Sequence, residues 1–190
     1  MRLSALILSL LAFVPASAWC GTVDFTTLPV QTTSQLILPG LTITGSGTIW
    51  VGSGLGVVGG DEDYLVDGAE WIEFTFTGAP ATGVSYWVGQ ARNLDGDIQV
   101  GERFIEAFDA VANSLGTAVQ FGAGSYPVSS LFNNVPLSRF RLTADVDGAL
   151  ISSLTYDMST VPEPSSLGFA ALGGLGLALF RRRRPAGLRR

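Results

Sequence analysis

Five carboxylates fall within ten residues, at Asp61, Glu62, Asp63, Asp67 and Glu70 in the run GGDEDYLVDGAEW. A hard cation such as Ca²⁺ takes about six to eight oxygen ligands, and carboxylates on a glycine-containing loop supply several at once. Asp61, Asp63, Asp67 and Glu70 form the candidate metal set. The spacing departs from an EF-hand loop: Leu65 stands at the next ligand position, Val66 at the turn glycine and Ile72 at the closing glutamate. The competing reading is a solvated acidic loop ahead of a strand. Asp95 and Asp97 around Gly96 form a weaker candidate that reads as a turn.

Two further chemistries are open to these side chains. Trp50, Trp71 and Trp87, with Tyr64, Tyr86 and Tyr126, could stack on sugar rings, although aromatics on strands more often pack in a core. Trp71 is the best placed for a ligand, because Ile72, Phe74 and Phe76 claim the opposite face. Glu102 and Glu106 would share one strand face and could form a carboxylate pair for glycoside cleavage, though nothing marks a cleft there. Otherwise catalysis is poorly provided for. There is no His or Lys and a single Cys, which excludes a Ser-His-Asp triad, a histidine metal site and a Schiff base. The expectation is a protein that is not an enzyme.

The two ends carry addresses. Arg2, the apolar run Leu3 to Val14 and Pro15-Ala16-Ser17-Ala18 make a secretory signal, cleaved after Ala18, with small residues Ala16 and Ala18 at the positions a peptidase reads. Its apolar run rises only about 18 Å, short of a membrane core of about 30 Å. Trp19 precedes Cys20, which argues against a lipid-modified cysteine, and a lone thiol forms no intramolecular disulfide. At the other end Pro162, Glu163 and Pro164 set a stiff extended segment. Leu167 to Phe180 then forms a short apolar helix of about 21 Å, which spans a membrane only with thinning or with snorkelling of its flanking arginines. Arg181, Arg182, Arg183 and Arg184 stop it on the cytoplasmic side, leaving residues 185–190 as a cytoplasmic tail. Nucleic-acid binding by these arginines is disfavoured, since an apolar span precedes them and the rest of the chain is acidic.

The order of Pro162-Glu163-Pro164, apolar helix and arginine cluster resembles a PEP-CTERM sorting signal over residues 161–184. The resemblance implies recognition by a membrane-embedded exosortase and removal of the tail. It also implies an inner-membrane intermediate in a Gram-negative, biofilm-forming bacterium. Delivery to the cell surface or extracellular polysaccharide matrix would follow.

Residues 19–160 remain, a usual size for one domain. One of the eleven arginines lies in the signal and six lie in the tail, while all acidic residues but Glu163 lie between, so this part carries about −11 against −5 for the whole chain. Such a surface repels polyanions and attracts divalent cations. Its pattern is β throughout. Trp71 to Thr77 sets Ile72, Phe74 and Phe76 on one face, and Arg103 to Asp109 alternates Phe104, Glu106 and Phe108 against Ile105, Ala107 and Asp109. Leu137 to Ala144 sets Phe140 and Leu142 together, and Leu150 to Met158 sets Leu150, Leu154, Tyr156 and Met158 together. Turn signals stand at Asn113-Ser114 with Gly116, at Asn133-Asn134 and at Asp147-Gly148. About nine or ten short strands of period two predict an all-β, antiparallel, jelly-roll-like β-sandwich ectodomain. The string Phe108 to Val119 resembles a hairpin of exported jelly-roll domains. For such a domain the expected role is structural or adhesive. A Ca²⁺-dependent carbohydrate-binding module is the alternative, and a surface glycoside hydrolase stands behind it.

Overall fold

Period-two alternation sends one set of side chains inward and the other to solvent, and the computed structural model bears this out over most of the middle of the chain. It describes residues 19–59, 65–89, 91–92, 98–99, 102–144 and 148–158. The strands are β1 (Trp19–Asp24), β2 (Gln31–Leu38), β3 (Leu41–Val51), β4 (Leu55–Val58), β5 (Trp71–Phe76), β6 (Thr82–Gly89), β7 (Ala91–Arg92), β8 (Ile98–Gln99), β9 (Glu102–Asp109), β10 (Ser114–Phe121), β11 (Gly124–Tyr126), β12 (Leu137–Ala144) and β13 (Leu150–Met158). A 3-10 turn (Phe25–Thr27) follows β1 and a single-turn helix, α1 (Val128–Leu131), follows β11. Residues 160–190 form a separate unit and lie outside the described residues, as do 1–18. Among the described residues no helix is long and apolar enough to cross a membrane.

One sheet runs β10-β9-β12-β5-β3-β4-β13-β6-β11, with β1 added to β13 and β2 to β3; β7 and β8 pair only with each other. Every pairing within it is antiparallel. The sheet folds over itself into a β-sandwich. β3 pairs with β5 through Leu41 to Gly45 and with β4 through Thr48 to Val51, so one long strand serves both layers. Gly45 and Gly47 lie at the change-over, where a Cβ would stand 3.3 Å from the Trp71 carbonyl and 3.2 Å from Val57 and the Val58 carbonyl. Across the layers, Phe76 of β5 meets Tyr156 of β13 at 5.2 Å between ring centroids, and Tyr86 of β6 meets Phe140 of β12 at 6.3 Å. Phe74 and Phe140 stack at 4.6 Å between neighbouring strands.

The core takes Ile72, Phe74 and Phe76, and with them Phe140, Leu142 and Ala144, the faces expected from alternation; Leu137, of the opposite parity, is buried too because the β12–β9 pairing shifts between Leu137 and Arg139. Two further strands depart from the simple pattern. In β13 the pairing with β6 shifts between Ile151 and Ser153; this bulge inserts a residue, so Ile151 is buried where alternation points to Leu150. In β9 the inward side begins with Arg103, which is as buried as Ile105 and Ala107.

The sandwich is nearly closed. On its open side the edge strands β10 and β11 are joined by side chains. Arg103 Nη2 donates to the Gly122 carbonyl and, at 2.9 Å, to the Tyr126 hydroxyl. The Tyr86 hydroxyl donates to Gln120 Oε1 at 2.5 Å. Burial pushes the Tyr86 phenol well above its ordinary range, against the opposing pull of the Arg103 charge.

Candidate functional site

The outer face of the layer formed by β10, β9, β12, β5 and β3 holds a set of interacting charged side chains. It is built around Glu73, which alternation places outward and which is nonetheless only 8 % exposed. Arg139 and Arg141 stand two apart on β12 and therefore share this face. Arg141 Nη2 and Nε approach Glu73 Oε2 at 2.9 and 3.2 Å, and Arg139 Nη1 approaches Oε1 at 3.3 Å. One carboxylate therefore accepts from two guanidinium groups, using both oxygens. Each arginine also covers an aromatic ring: Arg141 lies 4.4 Å from the Trp71 centroid and Arg139 4.0 Å from that of Phe108. Cation–π attraction of this kind contributes about 0.5–1 kcal/mol where solvent reaches it. Together these contacts hold long side chains in fixed positions.

Register aligns the face in rows. Val119 lies opposite Phe104, Phe104 opposite Thr143, and Thr143 opposite Trp71. The next row is Thr117, Glu106, Arg141, Glu73 and Thr44. The Trp71 amide donates to Ser46 Oγ at 3.1 Å, fixing the start of β5 against β3.

The residues expected from sequence are distributed unevenly. Asp61 and Asp63 of the metal set lie outside the described residues, as do Tyr64, Asp95 and Asp97. Asp67 is fully buried, and its turn closes on itself: the Glu70 amide donates to the Asp67 carbonyl at 2.9 Å and the Asp67 amide to Glu70 Oε2 at 3.4 Å. Among the described residues no three His, Cys, Asp or Glu side chains gather as a metal site. Among the described residues these aromatics do not gather into one platform. Tyr86 is buried against Tyr126 at 5.4 Å, Trp87 is exposed on β6, and Trp71 belongs to the Glu73 face. Glu102 and Glu106 do share the outer side of β9, with four residues of strand, about 13 Å, between their Cα atoms. Cys20 is exposed on β1; the Asp157 carboxylate opposite it holds the thiol above its ordinary range.

Sequence reasoning did not find the Glu73–Arg139–Arg141 fork or the Phe104–Val119 row. Each strand's polar face was legible, whereas which strand lies beside which was not. The sorting residues Pro162, Glu163, Pro164 and Arg181 to Arg184, and the signal residues Ala16 and Ala18, lie outside the described residues.

No curated protein matches the chain at a significant level. Residues 160–184 match the model of the PEP-CTERM protein-sorting motif, which implies export, processing by an exosortase at the membrane and sorting to the cell surface. The chain is thus an exported β-sandwich protein that carries a PEP-CTERM sorting motif at its C-terminal end.

Proposed function

We propose that the β-sandwich is a non-enzymatic structural or adhesive domain of the surface of a Gram-negative cell or of its extracellular polysaccharide matrix. In this reading signal peptidase removes residues 1–18, and the apolar run Leu167 to Phe180 holds an intermediate in the inner membrane. Exosortase then removes the tail. The observation that carries the reading is the sorting motif beginning at residue 160, two residues beyond the last strand, which ends at Met158. The chain thus passes directly from a folded domain into its address. The absence of His and Lys from the sequence supports a role without catalysis.

Mass spectrometry of the protein recovered from its native host tests the processing. The expected product begins at Trp19 and ends between Pro162 and Pro164. Recovery of an intact arginine tail on the surface form would overturn exosortase processing and leave a single-span anchor. Release of reducing sugar from surface polysaccharide by the purified protein would overturn the non-enzymatic role. Isothermal titration with Ca²⁺ tests the metal-dependent alternative, for which heat of binding lost in Asp61→Asn with Asp63→Asn is required.

A further inference from the structure

The row Val119, Phe104, Thr143 and Trp71 is apolar in character, and the core does not use it. Phe104 is 37 % exposed, Val119 45 %, and Phe121, two residues along the same face of β10, 63 %. Side chains of this kind are costly to leave in water when they gather together, and clustering marks an interaction surface. With strands about 4.8 Å apart, a row across four of them is about 14 Å long, the length of a short run of linked pyranose rings. We infer that this face is a binding platform for an uncharged, extended polysaccharide chain. The inference rests on the adhesive reading above and names its ligand class.

Three observations select that occupant. The first is chemical. Aromatic and aliphatic side chains pack against the C–H faces of sugar rings. The adjoining row offers planar donors and acceptors, Arg141 and Glu106, with the hydroxyl of Thr117, and Thr143 adds a hydroxyl within the first row. The second is electrostatic. Glu73, Glu102 and Glu106 stand against Arg139 and Arg141, so the face carries only about −1 on a domain of about −11; a polyanion would be repelled by the remainder, and an uncharged chain is not. The third is order. Arg141 is fixed by two contacts to Glu73 and by its stacking on Trp71, so little side-chain entropy remains to be lost on binding. A second copy of this chain is a poorer fit. The free edge of β10 is broken by a bulge between Ser114 and Gly116, and the Phe121 carbonyl already accepts from the Tyr126 hydroxyl, leaving a short stretch for strand addition.

The test uses the full chain in detergent micelles, run in native gels containing hydroxyethylcellulose, mixed-linkage β-glucan or polyanionic alginate. Retardation by at least one neutral glucan and none by alginate is expected. Phe104→Ser combined with Phe121→Ser should weaken that retardation at least tenfold, while Trp87→Ser, on the other layer, leaves it unchanged. Circular dichroism and urea midpoints verify that the variants stay folded. Absence of retardation by either glucan overturns the inference, as does equal retardation of the double variant or of alginate. A concentration-dependent dimer in sedimentation that the double variant abolishes would assign the face to a second copy and overturn it as well. Immunolabelling of intact host cells separates the two levels. Protein that is displayed but blind to glucans overturns the platform alone, whereas absence from the surface overturns the adhesive reading beneath it.

Discussion

Arg103 shows how a single side chain closes the seam of this fold. It is 1 % exposed, lies 4.9 Å over the Tyr126 ring, and sits opposite Gln120 in the β9–β10 register. A guanidinium taken from water must recover its hydration through donated hydrogen bonds, and here Gly122 and Tyr126 accept them. Arg103→Met nearly keeps the length of the side chain and removes both donated bonds, leaving the Tyr126 hydroxyl to donate to the Gly122 carbonyl without the guanidinium. The expected cost is about 1–3 kcal/mol, read as a lowered urea midpoint with unchanged slope. A midpoint equal to that of the native protein would show that the seam does not depend on this side chain. The sequence offered no hint of its burial. Alternation gives Arg103 the same side as Ile105, but an arginine at a strand start is ordinarily solvated, and its acceptors lie nineteen and twenty-three residues further along. The same limit hid the Glu73 fork, whose arginines lie sixty-six and sixty-eight residues away.

At the scale of elements, the β9–β10 hairpin was the most legible connection, because its turn is written in local residues. Asp109 Oδ1 accepts from the Val111 and Asn113 amides at 3.0 and 2.8 Å, and Asp109 Oδ2 accepts from the Asn113 side chain at 3.1 Å. These donors, the Asn113 amide first, hold the Asp109 carboxyl below its ordinary value. A carboxylate favoured by the fold stabilises it above the unfolded-state value of about 4, and that stabilisation is lost as pH falls through the lower folded value. Asp109→Ala should therefore lower the urea midpoint at pH 7, and the gap from the native protein should narrow steadily below pH 4. A gap constant down to pH 2 would assign the effect to packing. The same turn places Ala112 at φ +64, a left-handed conformation that costs a residue with a Cβ about 1–2 kcal/mol. Ala112→Gly should stabilise the hairpin by about 0.5–1 kcal/mol once the greater freedom of glycine in the unfolded chain is set against this relief. A lowered thermal midpoint would refute it. The sequence marked this turn by Asn113-Ser114 and Gly116, yet not the residue that bears the strain, because alanine carries no turn signature. Strand count was less legible: β4, β7, β8 and β11 have two to four residues each, too short for a period-two pattern to declare itself.

For the whole molecule, the pairing of the first strand with the last bears on processing. Trp19 lies opposite Met158, and Cys20 opposite Asp157, through to Asp24 opposite Ser153. The mature N-terminus expected after Ala18 and the entry to the sorting motif at residue 160 therefore leave the sheet at one and the same rung. Cleavage after Ala18 and within Pro162 to Pro164 would cut none of the strand pairings among the described residues. Proteolysis at a folded domain's boundary is tolerated where no backbone pairing is cut. β13 itself is indispensable, since β1, β4 and β6 all pair with it and it buries Ile151, Leu154 and Tyr156. A chain trimmed to residues 19–160 should then keep the urea midpoint and near-ultraviolet signal of the sandwich in the full protein. One trimmed to 19–152 should lose the cooperative transition, because β1 has no strand left to join and Leu154 and Tyr156 are gone from the core. A lowered midpoint in 19–160 would mean that the tail supports the fold, so that exosortase cleavage would release a weakened domain; a matching midpoint means that the tail is an address alone.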